Sequence, residues 1–440
     1  MILPLRTPVR LFTMSGTLPE AIGEMPPREA SRALKKRPRA LLTRTTFEGY
    51  GGAEALGAWM VEALKSAYEL TVLTWTSPDL DKINALFGTS IRRDDVRWMF
   101  PGPLARSIVG LIPDETGQWQ KRCWLMRLSK RIGSDFDIHF SSDSEFDFGQ
   151  PGVQYVHYPC MGPNYAAVQA FGSWAGWRIL PALARRVYRP WMTMGKFSYG
   201  RMLQNLTLAN SNWTAQEYRR FYGRPAETLY PPAAGQFEQT PWSLRRDEFV
   251  TISRLVRDKN LQRIVSILRE IRREHPQIKL HIVGARMRTG AGERDYRELR
   301  AIIDGEADWI ELHEDLPRRQ LVQLLGEVRY GIHLFKNEHF GMGIAEMVRG
   351  GLIPFVHDSG GQVEIAAHQA LRFTTDDEAA TRISAILSDA GLREQVRSVL
   401  QAAGDRFTPE HFCTQLVQRA EAWRDRPCDQ PALAQGIAGD

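Results

Sequence analysis

The sequence predicts an α/β protein with two domains, each built on a parallel sheet. Its 440 residues are enough for two domains of ordinary size. In the second half, apolar strands alternate with helical segments of ten or more residues, a pattern typical of parallel sheets. In the first half, a strand, a glycine-rich turn and a helix follow one another in the order of a dinucleotide-binding fold.

The first domain is predicted to span residues 38–232. Residues 1–37 are rich in Pro, Arg and Ser without a clear period and are interpreted as an N-terminal arm. The first ordered elements are predicted as a strand over 40–43, a glycine-rich turn over 48–54, a helix over 53–67 and a strand over 68–75. The turn is not GxGxxG, so a nicotinamide cofactor is not indicated. Its glycines either supply the positive φ of a tight turn or let a ligand approach.

Two further strand ends of this domain carry polar side chains. Residues 135–141 read AspPheAspIleHisPheSer and predict a strand. The AspPheAsp is either a metal-binding DxD or the start of an apolar alternation at Asp137. Residues 153–159 form a strand that ends in His157, just before a proline. A histidine at a strand end either packs structurally or faces a ligand.

Basic residues alternate with aromatic ones in a stretch that lacks acidic side chains. Residues 149–216 contain no Asp or Glu, and the basic and aromatic positions concentrate in residues 171–203. Tryptophans beside cations suit an anionic membrane surface or a lipid-linked acceptor. A helical insertion with core aromatics, and a single-stranded nucleic acid as partner, are the alternatives. We expect the membrane surface as partner and no nucleic acid.

The second domain is predicted over 248–407, after a Pro- and Gln-rich linker at 233–247. A strand from Phe249 leads to Arg254 and, five positions later, to Lys259. Two cations beside a strand end either neutralise a diphosphate or are ordinary surface charge. The following elements are predicted as a helix over 261–274, a strand over 279–284, a helix over 293–303, a strand over 309–314, a helix over 318–327 and a strand over 330–334.

The C-terminal residues are predicted to form a helix at 408–426 that crosses back onto the first domain. ThrProGlu at 408–410 supplies a cap and a proline in the first turn. Residues 427–440 are interpreted as a tail.

The stretch 337–361, NEHFGMGIAEMVRGGLIPFVHDSGG, predicts a strand end, a glycine loop, a helix and a further strand. Glu338 at the loop would face a ligand. Glycines and a helix N-terminus let backbone N–H groups approach a phosphate. Glu346 then falls in the helix, where it could accept hydrogen bonds from a ribose.

These residues resemble the nucleotide-sugar site of retaining glycosyltransferase family 4. The matching segments are Asn337 to Gly341, Glu346 and Asp358 to Gly361, and the closest similarity is to the dolichol-pathway α-1,2-mannosyltransferases. Arg254 and Lys259 resemble the family's diphosphate clamp, although Ser253 stands where a glycine is usual. Gly51, Gly52 and Glu54 resemble its acceptor-side GGxE loop, and His157 resembles its active-site histidine.

The resemblance implies a GT-B fold, in which two Rossmann-like domains face a central cleft. It implies catalytic roles for Glu338, His157, Arg254 and Lys259. Donor binding would fall to a group of residues on the second domain: Arg254, Lys259, Phe340, Gly341, Met342, Gly343 and Glu346. GDP-mannose is the expected donor, used without a metal or other cofactor, and a glycan or lipid-linked hydroxyl is the expected acceptor. A UDP-sugar or other donor stays open.

Composition adds weaker expectations. Cys123, Cys160, Cys413 and Cys428 form no CxxC pair, so a zinc site of that type and a disulfide framework are not indicated. No apolar run reaches the roughly 18 residues of a transmembrane helix. We therefore expect a cytoplasmic protein, peripheral on a membrane. A non-catalytic membrane-surface or carbohydrate-binding protein on the same fold is the alternative from another functional class.

Overall fold

The computed structural model describes residues 37–49, 51–110, 114–161, 189–233, 235, 237, 240–286 and 290–426. The described residues from Pro38 onward belong to one compact unit. They form two parallel sheets, which define an N-terminal and a C-terminal domain. The predicted N-terminal arm and tail lie outside the described residues, apart from Arg37.

The N-terminal sheet has seven strands within the described residues, in the order β3-β2-β1-β4-β5-β6-β7. Its strands are β1 Arg39–Thr43, β2 Glu69–Leu73, β3 Arg97–Met99, β4 Ile138–Ser141, β5 Val153–Val156, β6 Leu206–Ala209 and β7 Glu227–Thr228. Its helices are α1 Gly52–Ala67, α2 Leu80–Phe87, α3 Pro103–Gly110, α4 Asp114–Ile132, α5 Tyr199–Met202 and α6 Asn212–Tyr222.

The C-terminal sheet has six strands within the described part of the chain, in the order β10-β9-β8-β11-β12-β13. Its strands are β8 Arg246–Ile252, β9 Leu280–Gly284, β10 Ile310–Glu314, β11 Val328–His333, β12 Ile353–His357 and β13 Arg372–Phe373. The helices that follow along the chain are α7 Leu261–Ile271, α8 Gly290–Asp304, α9 Arg318–Glu327, α10 Met342–Arg349, α11 Gln362–Ile365, α12 Asp376–Ser388, α13 Ala390–Gly404 and α14 Pro409–Arg424.

Alternation along the strands places apolar side chains on both faces of each sheet. On β1, Leu42 faces one core and Leu41 the other. On β8, Phe249 likewise packs in one core and Val250 in another. The helical crossovers of a parallel sheet cover both of its faces, so the strands are buried on both sides. The predicted α/β class with two parallel sheets is confirmed.

The two sheets share a strand order, in which the first three strands run outward and the next three run the other way. In such sheets, ligands bind beyond the carboxyl ends of the strands where the order reverses. This point lies between β1 and β4 in the first domain and between β8 and β11 in the second. It follows that the loops after Thr43, Ile252 and His333 are the expected ligand-binding loops.

Some elements differ from the sequence-based expectation. β3 was not predicted, because its three residues at the sheet edge are too short to show an alternation. β8 begins at Arg246, three residues before the predicted start at Phe249. The AspPheAsp at 135–137 precedes β4, and the Asp137 carboxylate accepts a hydrogen bond from the Arg39 N–H at 2.7 Å. Within the described residues, neither aspartate joins a group of three metal-ligating side chains.

The last helix packs on the first domain. Phe412, Leu416 and Ala420 of α14 are fully buried in the core that also contains Leu42 and Leu56. The helix begins after Thr408, whose hydroxyl accepts a hydrogen bond from the His411 N–H at 3.2 Å, and Pro409 occupies its first turn.

Candidate active site

A cleft of about 460 Å³ lies between residues of the two domains. The N-terminal domain contributes Gly51, Gly52, His157 and Asn210, and the C-terminal domain contributes most of the polar lining. That polar and glycine lining comprises Ser253, Arg254, Lys259, Asp315, Arg318, His333, Glu338, Gly341, Gly343 and Glu346. These residues come from the loops at which the strand order reverses and from the connections next to them. The structure therefore brings together the residues that the family resemblance assigned to the site, except Glu54.

Glu338 forms the charged centre of the cleft. Lys259 Nζ lies 3.0 Å from Glu338 Oε2, and His333 Nε2 donates to the same oxygen at 3.3 Å. Burial acts to raise the pKa of the Glu338 carboxyl. The hydrogen bond from His333 and the charge of Lys259 outweigh burial and hold that pKa well below its usual range. Glu338 is therefore an anion at neutral pH, fixed between two donors.

The backbone also holds Glu338 in place. Glu338 pairs with Gly360 in a parallel bridge, and its carbonyl accepts a hydrogen bond from the Gly361 N–H at 2.7 Å. Gly360 has a φ of 74° and lies against the backbone of Asn337 and Glu338. A side chain at Gly360 would meet that backbone. The SerGlyGly after β12 is thus required by the close approach of two loops.

Gly341 starts helix α10 directly beside this carboxylate. Its φ is 108°, a conformation that favours glycine, and its carbonyl accepts the N–H groups of Ile344 and Ala345 at 3.0 Å. Gly343 packs against the end of β8, since a Cβ there would lie 3.0 Å from Ile252 O. The first-turn N–H groups of a helix have no partner within the helix. The cleft therefore contains the amide donors that a phosphate needs.

Glu346 lies one turn into α10 and is held by an arginine that sequence reasoning did not identify. Arg318 Nη1 lies 2.6 Å from Glu346 Oε1, and both side chains are largely buried. The Nε and Nη2 atoms of Arg318 are buried without a hydrogen-bond partner among the described residues. Arg318 begins α9 and is separated from Glu346 by 28 residues, so no local motif connects the two.

Arg254 extends from the loop after β8 with an exposed side chain. Among the described residues its guanidinium makes no hydrogen bond or ion pair. Ser253, which replaces the glycine of the family pattern, donates its hydroxyl to the Arg254 carbonyl at 3.2 Å. Arg254 therefore presents to the cleft a cation that pairs with no other described side chain.

The N-terminal side of the cleft is uncharged at its surface. Gly52 begins α1 and packs on Met342, because a Cβ there would come within 2.6 Å of Met342 Cγ. Glu54 does not line the cleft. Its carboxylate lies behind the loop, 3.2 Å from Arg44 Nη2, next to Gly51. The structure thus places the glycines of the GGxE loop at the cleft and its acid beneath them.

His157 at the end of β5 is held as a neutral imidazole. Its Nε2 donates to the Ser142 carbonyl at 3.0 Å, and Asn210 Nδ2 donates to the His157 carbonyl at 3.0 Å. Burial, together with the charge of Arg44, lowers the pKa of His157 to about 4. His157 therefore lines the cleft without adding a charge near pH 7.

A contact between the domains closes one end of the cleft. The His339 ring stacks on Tyr158 at a centroid distance of 4.4 Å, and Ser211 Oγ donates to the His339 carbonyl at 2.6 Å. The Glu364 carboxylate accepts the N–H groups of Asn212 and Trp213, at 2.9 and 2.8 Å, in the first turn of α6. A carboxylate at a helix N-terminus is stabilised by the helix dipole. The loop that carries Glu338 is therefore anchored to both domains.

Of the basic aromatic stretch, residues 171–203, only residues 189–203 belong to the described part of the chain. Phe197 packs partly buried against the core beneath the N-terminal sheet. Arg201 forms a salt bridge of 2.8 Å with the buried Asp147. Among the described residues, no helix has the length and apolar character needed to cross a membrane.

Residues 234–399 match the family model described as "Glycosyl transferases group 1". The match covers β8 to β13 of the C-terminal domain, and it includes Arg254, Lys259, Arg318, Glu338 and Glu346 of the cleft lining. The resemblance found in the sequence is thereby confirmed for this domain.

Curated relatives from three of the matching organisms illustrate the sequence similarity, and all three are named "GDP-Man:Man(3)GlcNAc(2)-PP-Dol alpha-1,2-mannosyltransferase". The Dictyostelium discoideum protein is 24% identical over 60% of this chain and 57% of its own length. The Neurospora crassa protein is 27% identical over 62% of this chain and 56% of its own length. The Homo sapiens protein is 26% identical over 61% of this chain and 60% of its own length. The chain thus spans less than two thirds of the length of these relatives.

Solved structures extend the similarity to nearly the whole chain. Anabaena Alr3699/HepE in complex with UDP and glucose has a TM-score of 0.60 and 18% identity, covering 88% of this chain and all of that one. WaaG, a glycosyltransferase involved in lipopolysaccharide biosynthesis, has a TM-score of 0.60 and 12% identity, covering 87% of this chain and 99% of that one. At these identities the likeness concerns the fold alone. That fold is GT-B, in which the N-terminal domain and the C-terminal domain matched by the family model face one another.

Proposed function

We propose that this protein is a retaining glycosyltransferase that moves mannose from GDP-mannose to a hydroxyl of a glycan or lipid-linked acceptor. The group 1 domain supports the reaction class, and the names of the curated relatives support this donor and acceptor. The observation that carries the proposal is the Lys259–Glu338 ion pair in the cleft. The same cleft is lined by the start of α10 and by Arg254, which pairs with no other side chain in the described part of the chain.

This arrangement suits a reaction in which negative charge develops on a leaving diphosphate. The bond between the sugar C1 and the phosphate oxygen breaks while the acceptor oxygen forms a bond to C1. Lys259, Arg254 and the first-turn amides of α10 stabilise the leaving group. Preorganised donors of this kind account for a large share of catalytic power, because they need no reorganisation in the transition state. Fixed protein cations can therefore perform the charge stabilisation without a divalent metal.

The two glutamates orient the donor rather than attack it. Glu338 stays ionised and accepts hydrogen bonds from the sugar hydroxyls, while Glu346, fixed by Arg318, accepts them from the ribose. The acceptor hydroxyl gives its proton to the departing phosphate oxygen, so no side chain has to act as a nucleophile. His157 faces the donor sugar as a neutral group. Gly51 and Gly52 leave room for the acceptor on the opposite side of the cleft.

The acceptor and the location of the protein follow from the same proposal. A lipid-linked acceptor would be met at a membrane surface, and residues 171–203 carry the cations and indoles suited to it. Vesicle co-sedimentation with anionic and neutral lipids tests this part alone. Equal recovery with both lipids would contradict it.

The test of the proposal is turnover of GDP-mannose by the purified chain in the presence of EDTA, with and without acceptor. Glu338→Gln and Arg254→Ala should each lower turnover by roughly 10²–10³-fold while leaving the circular dichroism spectrum unchanged. Near-normal rates in both variants would contradict the proposed roles. A loss of turnover on adding EDTA would contradict the metal-independent chemistry.

A thermal-shift panel of nucleotide sugars separates the donors and the non-catalytic alternative. A ligand that binds only the native state raises the melting temperature by mass action. We expect the largest shift with GDP-mannose. A larger shift with a UDP-sugar would reassign the donor, and a shift without any turnover would indicate a binding protein on the same fold.

A further inference from the structure

We propose that the C-terminal sheet carries a second site, a binding site for a divalent cation of the Zn²⁺ class, formed by His281, Glu311 and His313. These residues lie on β9 and β10, outside the residues that line the cleft. The proposal does not depend on the proposed transfer reaction. The transfer site is expected to work without a metal, and the proposed cation site lies elsewhere.

The donor atoms have the spacing of a coordination shell. His281 Nδ1 lies 3.0 Å from His313 Nε2, and the Glu311 carboxylate oxygens lie 3.5 Å from the first and 3.7 Å from the second. One ligand atom from each residue falls within 4.8 Å of the others. Two nitrogens at the usual Zn–N distance and a tetrahedral angle are about 3.3 Å apart. The three side chains therefore need only small shifts to surround a cation.

A carboxylate behind His281 supports its role as a ligand. Glu248 Oε2 lies 2.9 Å from His281 Nε2, and Arg246 Nε lies 3.0 Å from the same oxygen. Because an ionised carboxylate accepts hydrogen bonds, the Nε2 of His281 carries the hydrogen, and the lone pair of Nδ1 points toward His313 Nε2 and the proposed cation. Metal-ligating histidines usually donate their other N–H to a carboxylate or carbonyl in this way, which fixes tautomer and ring orientation.

The backbone register explains why these side chains meet. Glu311 is the cross-strand partner of His281, and His313 is two residues further along β10. Glu248, His281, Glu311 and His313 therefore project from the same face of the sheet. The neighbouring positions on that face, Val250 and Val283, belong to an apolar cluster. A group of four titratable side chains here interrupts an otherwise apolar pattern, and coordination would offset the cost of burying the two histidines.

The chemistry of the donors selects the kind of cation. Two imidazoles and a carboxylate suit Zn²⁺ and similar metals, whereas Mg²⁺ and Ca²⁺ prefer oxygen ligands. His281 is 6% exposed, His313 17% and Glu311 66%. A cation can therefore enter from the Glu311 side, and water can complete the four-coordinate shell there.

The position of the site gives the cation a structural consequence. β10 is the edge strand of the C-terminal sheet, and the residues that follow it, Asp315 and Leu316, line the cleft. A cation between β9 and β10 would cross-link the edge strand to its neighbour. We therefore expect it to stabilise the domain and the loop at Asp315 and Leu316, with no part in the transfer step.

The experiment titrates the full-length chain, stripped with a chelator and dialysed, with ZnCl₂ by calorimetry and with CoCl₂ by visible absorption. One equivalent of each metal should bind, and bound Co²⁺ should give the intense visible bands of a four-coordinate centre. Glu311→Gln and His313→Asn should each weaken binding roughly tenfold or more. His411→Asn, which changes an exposed histidine on α14, should bind as the unmodified chain does.

Both substituted side chains are at least partly exposed, so we expect both variants to fold. Thermal unfolding with and without ZnCl₂ checks this: the metal should raise the melting temperature of the unmodified chain and of His411→Asn, but not of Glu311→Gln. Absence of stoichiometric binding, or equal affinity in Glu311→Gln, His313→Asn and His411→Asn, would overturn the proposal.

Discussion

The C-terminal side of the cleft presents charged side chains held in pairs, whereas the N-terminal side presents glycines and a neutral imidazole. Lys259 and Glu338, and Arg318 and Glu346, are ion pairs on one side. On the other side, Glu54 is turned away from the cleft, and burial keeps His157 neutral. This difference matches a binding site for an anionic nucleotide sugar that faces a binding site for a neutral hydroxyl.

The comparison also shows two ways of fixing a site. The charged side is fixed by ion pairs whose desolvation cost is offset only if both partners are present. The neutral side is fixed by close backbone approach, as at Gly52 against Met342. Changes on the two sides should therefore affect different kinetic steps, and the following variants test that expectation.

The largest effect is expected for Lys259→Ala. The change would remove the cation that we propose stabilises the leaving diphosphate, and it would leave the Glu338 carboxylate with one donor fewer. Turnover of the donor should fall roughly 10²–10³-fold, both with and without acceptor. Lys336→Ala, an exposed lysine two residues before Glu338, is the matched control and should be nearly unaffected. A similar loss in both variants would mean that general positive charge, rather than this ion pair, matters.

An intermediate effect is expected for Arg318→Gln. Glu346 would lose its charged partner and no longer be fixed for the ribose, so the KM for the donor should rise roughly 10- to 100-fold, with a smaller change in kcat. Arg319→Gln alters the exposed neighbour and serves as the control. If kcat fell while KM stayed constant, Arg318 would act on the transition state and not on donor binding.

The smallest effect is expected on the neutral side, where His157 should influence stability through pH. Its folded pKa of about 4 lies below the usual value near 6.5, so the unfolded chain binds the proton more readily. Stability is full above pH 6.5 and falls as the pH drops toward 4, by on the order of 2 kcal/mol at pH 5.

The measurement is the melting temperature between pH 7.5 and 4.5 for the unmodified chain and for His157→Gln. The variant should lose less stability on acidification, although burial also lowers the pKa of His139 to about 4 and leaves a residual slope. An equal slope in both proteins would show that the pKa of His157 is the same in the folded and the unfolded chain, so that burial would not keep this imidazole neutral on acidification.

The sequence predicted the sheets well because buried parallel strands alternate regularly with helices. It did not predict β3, whose three residues carry too little pattern. Within the site, the glycines and Glu338 could be located because a loop, a helix start and a strand follow one another within 25 residues. The fold class needed no information beyond these local signals.

The partners of the motif residues could not be predicted, because they come from distant connections. Arg318 reaches Glu346 from the start of another helix, and nothing in its own segment, LeuProArgArgGln, indicates an active-site residue. His333 lies at the end of an apolar strand, and only the turn at Asn337, with its φ of 55°, brings Glu338 back to it. The stacking of His339 on Tyr158 depends on how two domains meet.

The packing of α14 on the first domain has a consequence for how the chain is made. The core around Leu42 and Leu56 is completed by Phe412 and Leu416, which leave the ribosome after both sheets have been synthesised. Domains usually fold as units in the order of synthesis, but here the first one keeps an uncovered apolar surface until translation is almost finished. Premature termination shortly before Thr408 would thus leave the earliest-made part of the protein as the one most exposed to aggregation.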